Sequence, residues 1–156
     1  MSRRRKQKWG VGDVFEVPLR DGSAAIGQVI ALEPGAMKCP ICAFYAEKWR
    51  DDVSPKLIES DLIAVLFVTP DLLDSGVWTI VGSRLAIKPD RFVALDELRR
   101  SNFVGLRIIG SGIVRELVEA FDGLIPWDRY HDPNYLDGLL APGRSRPSSA
   151  RFSRPH

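Results

Sequence analysis

The first element of the fold is predicted from the segment Trp9-Gly-Val-Gly-Asp-Val-Phe-Glu-Val-Pro-Leu19. The alternation of residues from Val11 to Val17 predicts a short strand whose successive side chains point to opposite faces of a sheet. Asp21-Gly22 follows, and this dipeptide is a strong hairpin turn signal. Residues 24–32 then predict the returning strand. The first element is therefore expected to be an antiparallel hairpin.

Further strands are predicted on the C-terminal side of this hairpin. In residues 37–47, Ile41, Ala43 and Tyr45 fall on one face, whereas Cys42 and Phe44 fall on the other. Residues 61–68 are almost wholly apolar, which is typical of a central strand covered on both faces. Shorter strands are predicted at 77–81, 91–95 and 103–109, with loops at 48–60 and 96–102.

The period changes to that of a helix near the end of the chain. Val114, Leu117 and Phe121 fall on one helical face, and Glu116 and Glu119 fall on the polar one. Short helices are also predicted at 71–75 and 134–140. The predicted fold class is α+β, with a curved antiparallel or small barrel-like sheet of about six strands, one main helix and one short C-terminal helix.

Composition places the chain among ordinary globular proteins. Of its 156 residues, 45% are hydrophobic and 27% charged. The longest apolar run, residues 62–68, is far below the roughly 20 residues of a membrane span. The basic start is followed by Asp13 and Glu16 rather than by an apolar core of a signal peptide, so we expect a cytoplasmic protein.

The net charge of +2 hides a strong segregation. Residues 1–8 form a basic arm of charge +5, and residues 141–156 carry +4. Residues 9–140 hold 13 basic and all 20 acidic residues, so their net charge is −7. We expect one α+β domain over 9–140, flanked by a basic N-terminal arm and a disordered tail rich in Pro, Ser and Arg.

Two groups of residues invite a catalytic or metal-binding interpretation. Cys39-Pro-Ile-Cys42 has C-x-x-C spacing, but it lies in a predicted strand and lacks further zinc ligands, so structural cysteines are expected. Asp128 and His131 could perform acid–base chemistry, yet no nucleophile motif or phosphate-binding glycine loop accompanies them. No enzyme, metal or cofactor is predicted.

Exposed acids and one tryptophan are the candidate partner-binding residues. Trp49 lies in a polar loop, and tryptophan is enriched at binding hot spots. The candidate set is Trp49, Asp51, Asp52, Glu59, Asp61, Asp71 and Asp74. An ordinary solvated surface is the competing interpretation of the six acids.

Several segments resemble one known family in their order along the chain. Lys8–Leu19, then Asp21-Gly22 and Ile26-Gly-Gln-Val29, resemble the opening of the immunity protein 26 family, small bacterial proteins encoded beside polymorphic toxins. Ala25 replaces a tyrosine that is usual there. Later matches extend the resemblance over roughly residues 8–140: Phe44-Tyr45, Asp74-Ser-Gly-Val-Trp78, Ile80-Val-Gly82, Gly123-Leu-Ile-Pro-Trp-Asp128 and Asp132-Pro-Asn-Tyr-Leu-Asp-Gly-Leu-Leu140.

The resemblance implies an α+β inhibitor that binds a toxin domain, and it implies no catalytic residue. An acidic body of charge −7 would be steered towards the basic active site of a nuclease-type toxin. The leading hypothesis is therefore an immunity protein that blocks its cognate toxin in the cytoplasm. The alternatives are a small-barrel nucleic-acid-binding module that uses the basic tails, and a hydrolase centred on Asp128 and His131.

Overall fold

A computed structural model of the chain describes residues 6–153, and its framework is one open sheet of six strands. The spatial order is β5-β1-β2-β3-β4-β6. All pairings are antiparallel except that of β4 with β6, which is parallel. The strands are β1 (Asp13–Pro18), β2 (Ala24–Leu32), β3 (Pro40–Lys48), β4 (Leu62–Val68), β5 (Ile80–Ser83) and β6 (Ile108–Ile109).

The predicted hairpin is confirmed. Pro18 pairs with Ala24, and Gly22 in the turn has a φ of 88°, a left-handed conformation that glycine adopts without strain. Within β2, Gly27 lies against the ring of Phe15, and a Cβ at that position would meet ring atoms at 2.5 Å. The glycine therefore leaves room for the Phe15 ring to lie over β2.

The sheet separates two cores, as the alternation in β3 predicts. Cys42 and Phe44 enter the first core, whereas Ile41, Ala43 and Tyr45 enter the second. The first core lies between the sheet and the helix α3 (Ser111–Phe121). It contains a cluster of aromatic rings from β1, β3 and the segment before β5, in which Phe15 and Trp78 are stacked. The second is covered by residues 84–107, which fold back over β3 and β4. Strand β4 is thus buried on both faces, as expected.

Two other helices are short, α1 (Asp71–Ser75) and α2 (Leu95–Arg100), and three 3₁₀ turns occupy Glu59–Asp61, Pro89–Arg91 and Tyr135–Leu139. Among the described residues no helix combines the length and apolarity that a membrane span requires.

Several predicted elements are wrong in type or in extent. Residues 91–95 are not a strand and 96–102 are not wholly a loop, because Leu95 and Leu98 pack on the second core at a helical spacing. A short apolar run fits either period, so only its packing settles the choice. The strand at 103–109 shrinks to two residues, that at 77–81 moves to 80–83, and the helix at 134–140 is a 3₁₀ turn.

Residues 141–153 lie against the domain through long-range contacts, which differs from the disorder predicted for the tail. Arg146 forms a two-pronged ion pair with Asp137, both bonds at 2.7 Å. The Arg151 carbonyl accepts a hydrogen bond from the Trp127 amide at 2.7 Å. Composition could not reveal these contacts, because they join residues nine and 24 positions apart and depend on how the chain folds. Residues 1–5 of the basic arm and 154–156 of the tail lie outside the described residues.

Candidate partner-binding site

The segment between β3 and β4 forms a cleft with the sheet edge. The cleft has a volume of about 280 Å³ and is lined by residues 51–55 and 81–84, with Val14 and Trp49. Since Phe15 points into the first core, Val14 faces the opposite side of the sheet. This Trp49 cleft therefore opens on the face opposite α3, beside β5.

Trp49 forms a fixed wall of the cleft. Its main-chain N–H donates to the Ala24 carbonyl at 2.8 Å, which holds it to the start of β2. Its indole Nε1 donates to Oδ1 of Asp51 at 3.0 Å. The ring is half-buried, whereas Asp51 and Asp52 are exposed. The structure thus brings together three of the residues predicted from sequence, and it leaves the tryptophan less exposed than expected.

Arg84 also lines the cleft, and no motif in the sequence marks it. Its main-chain N–H donates to the Gly12 carbonyl at 2.9 Å, and its carbonyl accepts from Gln28 Nε2 at 2.9 Å. The guanidinium contacts the Ser54 hydroxyl across the cleft. Only the pairing of β5 with β1 places Arg84 beside a loop thirty residues earlier, so no local pattern could have identified it.

The other acids are not gathered on the same surface. Glu59 pairs with Arg91, and Asp61 directly precedes β4. Asp71 and Asp74 follow β4, whose seven residues span about 20 Å. The six acids therefore lie at both ends of one strand and do not form a single acidic face.

Asp71 and Asp74 are bound to neighbouring side chains. Burial opposes ionisation of Asp71, but hydrogen bonds from the hydroxyls of Ser111 and Thr69, each at 2.7 Å, outweigh it and lower its pKa. The Asp74 carboxylate accepts a hydrogen bond from Trp9 Nε1 at 2.8 Å. Both carboxylates thus hold α1 to its surroundings, which is a structural use of these acids.

The candidate catalytic and metal-binding residues, Asp128, His131, Cys39 and Cys42, differ in burial and in the groups that contact them. Asp128 is buried, and its carboxylate accepts hydrogen bonds from the Ser153 amide and hydroxyl at 2.8 and 3.0 Å. His131 is exposed. Cys39 and Cys42 are both buried, and burial raises the pKa of the Cys42 thiol. Over residues 6–153 no three potential metal ligands come together.

Comparison with known proteins identifies the family. The family model described as Immunity protein 26 matches residues 10–96, a range that includes β1 to β5 and the whole Trp49 cleft. The later segments that resemble the family, at 123–128 and 132–140, lie outside this match. No curated protein and no solved structure matches the chain significantly. Because the match covers more than half of the 156 residues, the chain belongs to the Immunity protein 26 family.

Proposed function

We propose that this protein binds a cognate bacterial toxin domain in the cytoplasm and neutralises it by covering the toxin's active site. Such a protein protects its producer during interbacterial competition. The main support for a binding site is the Trp49 cleft, in which a hydrogen-bonded tryptophan lies beside two exposed carboxylates. The family membership supports the general role.

The cleft suits a partner that presents a cationic side chain. A half-buried indole offers a rigid apolar surface, and the face of its ring attracts cations. The cleft contains two carboxylates, Asp51 and Asp52, and one guanidinium, that of Arg84. This guanidinium already contacts Ser54. A lysine or arginine of the toxin can therefore gain both an ion pair and an aromatic contact here.

The proposed partner is a toxin with a basic active site, such as a nuclease domain. Residues 6–153, which include the packed C-terminal segment, hold 18 basic and 20 acidic residues, so their net charge is only −2. Attraction of such a surface therefore comes from the local carboxylates of the Trp49 cleft. Inhibition then needs binding and occlusion, with no chemical step by the inhibitor. The Trp49 cleft would supply contacts at the centre of the interface, where fixed aromatic residues contribute most.

The experiment compares two single charge reversals with the toxin domain encoded beside this gene. Asp52→Lys changes the cleft, whereas Asp90→Lys makes the same charge change at an exposed position outside it. We expect Asp52→Lys to slow association at least tenfold at low salt and to weaken protection of a toxin-expressing host. Asp90→Lys should have a much smaller effect. Equal effects would leave only general charge steering, and wild-type protein that neither binds nor protects would contradict the proposed function.

A further inference from the structure

Strand β5 ends the sheet, and its outer edge has no strand neighbour among residues 6–153. The N–H of Arg84 donates to Gly12, on the β1 side. Amide and carbonyl directions alternate along a strand, so those of Ser83 point away from β1. Ser83 is exposed. At the other end of the strand the Ile80 amide donates to Gln7 Oε1 at 3.1 Å, so that part of the edge is occupied. The edge at Ser83 therefore offers a donor and an acceptor to an added strand.

Exposed apolar side chains flank this edge. Leu85 directly follows the pairing segment and is 98% exposed, and Val77, before β5, is 50% exposed. Natural sheets usually protect an open edge with charged residues, proline or a covering segment. Gln7 covers the edge at Ile80, whereas beyond Ser83 the exposed Leu85 adds apolar surface next to outward main-chain groups, which favours an interaction surface there.

The open edge of β5 lies next to the Trp49 cleft. Residues 81–84 line the cleft, which opens on the face opposite α3. A strand added outside β5 would direct every second side chain towards that face. Those side chains would meet the carboxylates of Asp51 and Asp52, so charge complementarity selects lysine or arginine at alternate positions.

We propose that the toxin contributes an extended segment, with basic residues at alternate positions, that pairs with the C-terminal end of β5, at Ser83, as a short seventh strand. Main-chain hydrogen bonds at Ser83 supply affinity, and a basic side chain entering the Trp49 cleft supplies specificity, which is the general division of roles in strand addition. This inference rests on the proposed function and adds the form in which the partner is recognised.

The decisive variant is Ser83→Pro. Proline removes the outward amide and places its ring where an added strand would lie, and an edge strand tolerates proline when its N–H faces outward. Ser83→Ala is the matched control, because it removes the hydroxyl and keeps the amide. Binding to the toxin domain encoded beside this gene is measured by titration calorimetry, after thermal unfolding has shown that both variants fold.

We expect Ser83→Pro to weaken binding at least tenfold and Ser83→Ala to leave it within twofold of wild type. In the wild-type complex the Ser83 amide should also be protected from hydrogen exchange, a measurement that stands even if the proline variant does not fold. Equal binding by the two variants, or an unprotected amide, would overturn the inference and leave the proposed function intact. Wild-type protein that fails to bind would overturn both.

A second copy of the chain is the competing occupant of this edge. Sedimentation velocity without toxin separates the two cases. A monomeric wild-type protein agrees with the inference. A dimer that Ser83→Pro dissociates would assign the edge to self-association and overturn it.

Discussion

Arg20 in the β1–β2 turn holds the buried carboxylate of Glu119 on α3. Arginine Nε lies 2.8 Å from Oε2 and Nη2 lies 3.0 Å from Oε1, and the Arg20 main-chain N–H adds a third bond of 2.8 Å. Arg115 approaches the same carboxylate at 3.6 Å. The opening hairpin and the main helix are thus joined through one charged group that has no exposed side-chain surface.

Replacing this carboxylate should destabilise the fold. Glu119→Ala removes the partner of three hydrogen bonds and leaves a buried gap, so we expect a loss of about 2–4 kcal/mol in the free energy of unfolding. Arg115→Ala is the control, since Arg115 contacts the carboxylate only at 3.6 Å and its side chain, unlike that of Glu119, is partly exposed. Urea denaturation measures both. An Arg115→Ala effect as large as that of Glu119→Ala would show that the Arg20 contact is not the dominant one.

The same group predicts a dependence of stability on pH. Burial disfavours the charged form of Glu119, but the hydrogen bonds and charge of Arg20 outweigh it and hold its pKa below the ordinary value of 4.5. A lowered folded-state pKa stabilises the protein above the unfolded value, and this contribution is lost as the pH falls through the folded value. The free energy of unfolding should therefore decline below about pH 4.5.

Glu119→Gln separates this contribution from those of other carboxylates. Asp137, paired with Arg146, also has a lowered pKa and shifts stability in the same direction. The glutamine variant should be less stable than wild type at pH 7, and its urea midpoint should fall less steeply as the pH is lowered towards 3. Two parallel curves would mean that Glu119 does not take part in the acid transition.

Gly27 should not tolerate a side chain. A Cβ there would lie 2.5 Å from the Phe15 ring, which is itself buried and stacked on Trp78 with ring centroids 5.2 Å apart. We expect Gly27→Ala to cost about 1–3 kcal/mol, because a packed ring cannot move aside freely. Gly82→Ala is the control on another strand, since no atom lies within 4 Å of its Cβ. Thermal unfolding measures both variants, and equal melting temperatures for Gly27→Ala and Gly82→Ala would contradict this account.

Removal of the C-terminal segment should also lower stability. Residues 144–153 provide the Arg146–Asp137 pair and the main-chain bond to Trp127, whose ring is fully buried. Truncation after residue 143 should lower the melting temperature by at least about 3 °C, the change that 1 kcal/mol produces in a domain of this size. Deletion of residues 154–156 alone is the control. Unchanged melting after the longer truncation would show that the segment adds no stability.

Local patterns account for much of the fold. Alternation in β3 correctly assigns Tyr45 and Phe44 to opposite cores, and Asp21-Gly22 correctly marks the first turn. The cluster of Trp49, Asp51 and Asp52 could also be named from sequence, because a tryptophan in a polar loop is locally conspicuous. Their role in binding stays a prediction.

Other features depended on contacts between distant parts of the chain. Glu119 falls on the polar side of the helical pattern, yet Arg20 from a remote turn allows it to be buried. Leu95 and Leu98 form a helix because the second core accepts them at that spacing, and Arg84 reaches the Trp49 cleft only through the pairing of β5 with β1. Periodicity and turn residues act over a few positions, so the hairpin, the faces of β3 and the α+β class follow from local sequence alone. Burial of a charge, the type of a short apolar element and the neighbours of a cleft depend on contacts between distant residues, so they emerge only in the packed fold.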